Sequence, residues 1–214
     1  MESYKIVLIG ESGVGKTSII SRYINNTFDL QVLTSSSAQF ISKTITLSDD
    51  TALKLDIWDT AGQEKFRSLA KIFYKDAKVI ILVYDITNKM SFDNIKNYWF
   101  NEIEENSISD VILAIVGNKD DLYEMEQVSI EEGKKFAKEK NAIFKRTSAL
   151  SNRNIESLFL DIARKIINPN YDYLAEDNKI KDEFIKRNNN KENNNQTIDL
   201  KKGSHENFFK RKWC

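Results

Sequence analysis

The chain has 214 residues, and its 32 basic side chains balance 32 acidic ones, so the formal net charge is zero. That length holds one ordinary domain plus an appendage, and a neutral chain offers no global field for nucleic acid, which is not an expected partner. A single cysteine, Cys214, excludes an intramolecular disulfide framework and fits a reducing compartment, and the apolar runs are too short to span a bilayer.

In chain order, Met1-Glu2-Ser3 runs almost at once into the apolar Ile6-Val7-Leu8-Ile9. No secretory leader is therefore expected, and Glu2 in place of glycine excludes N-myristoylation. Gly10-Glu11-Ser12-Gly13-Val14-Gly15-Lys16-Thr17 follows directly and spells G-x-x-x-x-G-K-[ST]. Buried strand, glycine-rich turn, then helix is the context in which this pattern cradles phosphates. A polyphosphate held from Gly10 to Ser18, against Ser12, Gly13, Val14 and Gly15, meets backbone N–H groups and the positive end of a helix. Lys16 supplies a point charge to the outer phosphates, and the Thr17 hydroxyl a ligand for magnesium.

Residues 40–47 and 53–58 alternate apolar and polar, with Ser48-Asp49-Asp50 between them, which reads as an antiparallel hairpin. Asp59-Thr60-Ala61-Gly62-Gln63 follows. There Asp59 can hold magnesium, Gly62 can offer its N–H to a terminal phosphate, and Gln63 can orient a water for in-line attack. A second continuous apolar run covers 79–84. Phe92, Ile95, Trp99 and Ile103 then form a one-sided stripe that predicts a helix over 91–106. The third run, 111–116, leads into Asn118-Lys119-Asp120-Asp121. A carboxylate at Asp121 can accept both the ring N–H and the amino group of guanine, an adjacent donor pair that adenine does not present. Asn118 would tie this loop to the phosphate loop, and the Lys119 stem would cover one base face. After the short run 142–145, Thr147-Ser148-Ala149 is placed to offer a backbone N–H to the guanine oxygen, and Ile155, Leu158, Phe159, Ile162 and Ile166 predict a helix over 154–167. The expected fold is one α/β domain of three layers: a mixed six-stranded sheet with one antiparallel edge strand, flanked by five helices. Every motif falls beyond the carboxyl end of a strand, where open sheets bind ligands.

Character changes after Pro169. Residues 188–195 read Asn-Asn-Asn-Lys-Glu-Asn-Asn-Asn, too polar to offset ordering entropy. The expected division is therefore a domain over 1–168 and a flexible tail over 169–214, with Leu174, Ile180 and Phe184 as material for a short helix. His205, the one histidine, has no expected role.

These motifs, with Leu82-Val83-Tyr84-Asp85-Ile86-Thr87, Trp58-Asp59-Thr60-Ala61-Gly62-Gln63-Glu64, Phe66-Arg67-Ser68-Leu69 and Phe73-Tyr74-Lys75-Asp76-Ala77, resemble the Ras-like small GTPases and, among them, the Rab family. The likeness covers about residues 4–168. Gly10-Glu11-Ser12 and Ser68-Leu69-Ala70 resemble its endocytic branch most. The resemblance implies a phosphate-loop GTPase domain that cycles between GTP and GDP with Mg2+. It implies two nucleotide-sensitive loops near 28–40 and 59–76, and Phe28 against the guanine. An apolar effector patch would comprise Phe40, Trp58 and Phe73, although periodicity alone favours ordinary core for that trio. It also implies a monomer served by effectors, a GTPase-activating protein, an exchange factor, a prenylation escort and a GDP-dissociation inhibitor, acting on the cytoplasmic face of an endosome or vesicle.

Three departures stand out. Rab proteins typically show Thr-Ile-Gly before Phe, where this chain has Ser35-Ser36-Ser37-Ala38-Gln39-Phe40. Ser35 keeps a hydroxyl for magnesium but loses the methyl group that stiffens χ1, so a less firmly ordered GTP-bound loop and unusual effectors are expected. Leu150 replaces a customary lysine, with little expected consequence. Cys214 stands alone at the end, where Rab proteins commonly carry two cysteines. Prenylation there would leave one chain, a marginal anchor, with Lys210-Arg211-Lys212 between Phe208-Phe209 and Trp213 as a second membrane signal. The leading expectation is a GTP-hydrolysing switch in membrane traffic. The alternatives are a GTP-binding scaffold with impaired hydrolysis and a phosphate-loop kinase or ATPase.

Overall fold

A computed structural model describes residues 2–29, 39–60, 72–106 and 110–175. Six strands form one sheet: β1 (Ser3–Ile9), β2 (Gln39–Thr46), β3 (Ala52–Asp59), β4 (Val79–Asp85), β5 (Ile112–Asn118) and β6 (Ile143–Arg146), in spatial order β2-β3-β1-β4-β5-β6. Only the β2–β3 pair is antiparallel. Burial explains the difference in patterning. All seven residues of the central β4 are buried, whereas β3 alternates, sending Leu53, Leu55 and Ile57 inward. Strands covered on both faces read as continuous apolar runs, and a strand near the edge reads with period two.

Helices α1 (Lys16–Asn25) and α5 (Ile155–Ile167) share one face, where Tyr23 stacks on Phe159 with ring centroids 3.7 Å apart. On the other face α4 (Ile130–Glu139) meets the helical run after β4 through Phe136, which lies edge-on to Phe92 and Phe100 at 5.8 and 6.1 Å. Each such buried ring or branched side chain contributes about 1.5–3 kcal/mol. That helical run begins at Lys89 rather than at 91, because the Asn88 side chain caps the Ser91 N–H. It is also not uniform: α2 (Lys89–Asn94) passes through a π turn, Ile95–Trp99, into α3 (Phe100–Asn106). The expected helix between β3 and β4 falls mostly outside the described residues, of which 72–74 are helical.

By contacts the chain divides into Met1–Tyr171 and Asp172–Cys214. The first unit runs past α5 because the Tyr171 hydroxyl donates to Asp161 Oδ1 at 2.9 Å and Lys165 Nζ donates to its carbonyl at 3.1 Å. In the second, Asp172 Oδ1 accepts from the N–H groups of Leu174 and Ala175, capping a helical turn at 173–175.

Candidate functional site: four loops around one cavity

Parallel register brings the motif-bearing strand ends together. Leu8 pairs with Asp59, Ile9 with Leu82, and Asp85 with Asn118. The loops after β1, β3, β5 and β6 therefore emerge along one edge of the sheet.

The first of these loops depends on glycine. Gly15 has φ 95°, and a Cβ there would meet Asn118 Nδ2 at 2.3 Å. Gly10 has φ 151°, and its Cβ would meet the Val83 carbonyl oxygen at 2.2 Å. L side chains avoid this half of backbone space, so the loop runs where only glycine fits. Lys16 folds back beneath it, donating to the carbonyls of Gly10 at 2.8 Å and Glu11 at 3.0 Å. Burial pushes the Lys16 ammonium down to about 8, against the opposing pull of Asp59 and Glu11. No side chain caps α1, and its first turn carries no acid, whereas α4 is capped by Ser129 and carries Glu131 and Glu132 there. The first N–H groups of α1 are thus left for an external anion.

Asp59 is 2% exposed at the end of β3. Its Oδ2 accepts from the Thr17 hydroxyl at 2.5 Å, while its Oδ1 is buried with no hydrogen-bond partner. Burial raises the Asp59 carboxyl above its usual range, opposed by the Thr17 bond and by Lys16. A buried carboxylate oxygen without a partner is costly, and a magnesium ion beside Thr17 would satisfy it. The donor set, one hydroxyl and one carboxylate with room for phosphate oxygens and water, suits that ion. These residues fit a magnesium-bound polyphosphate.

A cavity of 350 Å³ opens beside the glycines, lined by Gly13, Gly15, Ser18, Phe28, Asn118, Lys119, Asp121 and Ala149 together with Asp29, Leu122 and Leu150. Asn118 Nδ2 donates to the Val14 carbonyl at 2.9 Å, and its Oδ1 accepts from the Thr147 hydroxyl at 3.2 Å. One buried amide thus joins three loops. Ser148, wholly buried, donates through Oγ to Asp121 Oδ1. Lys119 Nζ is drawn to Asp85 Oδ2 at 2.6 Å, which leaves its stem at the cavity wall. Arg22 on α1 holds the last loop from behind, donating to the carbonyls of Ala149 at 2.8 Å and Leu150 at 3.1 Å.

Sequence reasoning missed Arg22, Asp29 and Leu122, and it gave Leu150 little weight although this residue forms part of the cavity wall. Leu122 directly follows the Asp121 motif, a signal that was readable. Ser12 is exposed at the loop's crest. Ser35, Gly62, Gln63 and Cys214 lie outside the described residues.

Phe40, Trp58 and Phe73 stand together away from this cavity. Ring centroids are 5.1 Å apart for Phe40 and Trp58 and 6.3 Å for Trp58 and Phe73. They are not ordinary core: Phe40 is 51% exposed, and Trp58 lies opposite the inward Leu55 and Ile57 on the alternating β3. Cross-strand pairing of Phe40 with Trp58 sets the cluster.

Comparison with known proteins agrees with this geometry. The Ras family model matches residues 5–168. The chain is 46% identical to the Ras-related protein Rab-8B of Homo sapiens over 164 residues, which is 77% of this chain and 78% of that protein. It is 45% identical to Rab-8A of Mus musculus over 163 residues, 76% and 78% of the two chains. With Rab-8 of Diplobatis ommata the identity is 46% over 164 residues, 77% of each.

Proposed function

Because the chain belongs to the Ras family, as a GTP-hydrolysing small GTPase of Rab type acting in membrane traffic, we propose that it recruits effectors to an endosomal or vesicle membrane when GTP is bound and releases them after hydrolysis. The observation that carries this reading is the single cavity shared by Gly13, Gly15, Asn118, Lys119 and Asp121, which motifs a hundred residues apart in sequence converge to form.

In this reading Gly10 to Ser18 hold the phosphates, and Lys16 turns from the loop carbonyls toward the outer two. Thr17, Ser35 and Asp59 would hold magnesium, which when bound would supply positive charge beside the phosphates. Gly62 offers its N–H to the terminal phosphate, and Gln63 orients the attacking water. Phe28, Asn118, Lys119, Asp121, Thr147, Ser148 and Ala149 hold the guanosine. Rab-type turnover is slow alone, because an arginine supplied by an activating partner is worth about 10³–10⁵ in rate. An exchange factor then reloads GTP, and the effectors read the Phe40–Trp58–Phe73 cluster. Residues 169–214 serve as the tether, with prenylated Cys214 and Lys210-Arg211-Lys212 acting together and an escort and GDP-dissociation inhibitor handling the lipid. Among the described residues no helix is long and apolar enough to cross a membrane, which is consistent with attachment through the tail.

The test is Asp121→Asn. An amide pairs with xanthine where a carboxylate pairs with guanine, so preference should move from GDP to XDP, by roughly 10²-fold or more for two rearranged hydrogen bonds. An unchanged preference in displacement assays would remove Asp121 from base recognition.

A further inference from the structure

Asp120 and Asp121 are neighbours at the start of a 3-10 turn, Asp120–Met125, yet their carboxylates serve different surroundings. Asp121 lines the cavity. Asp120 is 5% exposed, with its carboxylate gripped by two guanidinium groups. Arg146 Nε and Nη2 both lie 2.8 Å from its Oδ1, and Arg153 Nη1 lies 2.6 Å from its Oδ2. Arg146 is itself buried and places its remaining donors on Glu126 Oε2 at 3.0 Å and the Val128 carbonyl at 3.3 Å. Buried charges persist only when paired and hydrogen-bonded, and here each one is.

The position of the two arginines is as informative as their charge. Arg146 ends β6, immediately before Thr147-Ser148-Ala149, and Arg153 follows that segment. Arg153 and Ser148 exchange backbone hydrogen bonds of 3.0 and 3.1 Å, and Ser148 Oγ in turn donates to Asp121. Asp120 N–H donates to the Thr147 carbonyl at 3.0 Å. These contacts close a ring: Asp121 to Ser148, Ser148 to Arg153, Arg153 to Asp120, and Asp120 back along the chain to Asp121. The loop that carries the base-reading carboxylate is thereby locked to the loop beside it from outside the cavity.

We propose that Asp120, Arg146 and Arg153 form a charge clamp that sets the aim of the Asp121 carboxylate, and so act as positioning residues for guanine selectivity. The proposal rests on the reading that Asp121 accepts the guanine N1–H and 2-amino group. With the clamp released, Asp121 still reaches the base but no longer meets both donors at once. GDP then loses more than inosine diphosphate, which lacks the 2-amino group.

The test is the ratio of GDP to inosine diphosphate affinity on the full chain, by displacement of a fluorescent nucleotide, with melting temperature read alongside. The wild type should prefer GDP by roughly tenfold or more, the worth of one hydrogen bond to a charged acceptor. Asp120→Asn should lower the ratio about fivefold, and Arg153→Ala about threefold, as expected for partial loss of that bond. Arg153→Lys, which keeps a cation within reach of Asp120, should stay near the wild type. Arg153 has a 63% exposed side chain, so its truncation leaves the fold standing should Asp120→Asn not. Unchanged ratios in both variants, or equal losses for the two nucleotides with a lower melting temperature, overturn the clamp alone. A wild type without preference for GDP over inosine diphosphate overturns the Asp121 reading, and the clamp with it.

Discussion

Lys16 shows how one residue can be set in advance for a ligand. Its ammonium is buried and held by two backbone carbonyls, a weaker setting for a cation than a row of phosphates, and it titrates near 8. Phosphates beside it would raise that value. The complex therefore binds more protons than the free protein above pH 8, and affinity falls as pH rises through that window. Calorimetry of GDP binding in two buffers of different ionisation enthalpy should show most of a proton taken up at about pH 8.5 and almost none at about pH 7. Binding without uptake at the higher pH would contradict this account of Lys16. Many of the residues lining the cavity were legible, because phosphate and base contacts of the kind proposed call for particular residue types at strand ends. The arginine clamp was not. Asp120 lies 26 residues before Arg146 in sequence, and a run such as Asn-Lys-Asp-Asp reads as a solvated turn until the fold shows that Asp120 is buried.

Among the elements, the strands were legible because burial on two faces writes an uninterrupted apolar run. The π turn left no mark on the pattern: Phe92, Ile95, Trp99 and Ile103 are spaced as on one α-helical face, and Phe100 beside the buried Trp99 is what an i+3, i+4 pair on an ordinary α-helix also shows. Such turns are uncommon and often mark function. Here the Trp99 indole N–H donates to Glu11 Oε1 at 3.1 Å, joining the helix to the phosphate loop. Trp99→Phe keeps a ring but loses that bond, so it should lower unfolding free energy by about 1–2 kcal/mol. Denaturant titration checks this, and a loss under a few tenths of a kcal/mol would show that the contact contributes nothing. The aromatic cluster was misplaced by periodicity for a similar reason: alternation on β3 separates faces without saying which face is covered. Phe40 and Trp58 lie on the face opposite the Leu55–Ile57 core.

At the scale of the molecule, one sheet carries the cavity on one edge and the aromatic cluster elsewhere. The β3 strand serves both, with Trp58 in the cluster and Asp59 beside Thr17 as consecutive residues. If the effectors proposed above read that cluster, a change in what Asp59 holds lies one residue from the surface they contact. The loops crowning this sheet are proposed to select a guanosine polyphosphate. The most direct test is calorimetry on the full chain, freed of co-purified nucleotide, with magnesium present. GDP should bind with micromolar or tighter affinity and ATP more weakly by roughly 10⁴-fold. Micromolar ATP affinity with no measurable binding of GDP or GTP would contradict the proposal.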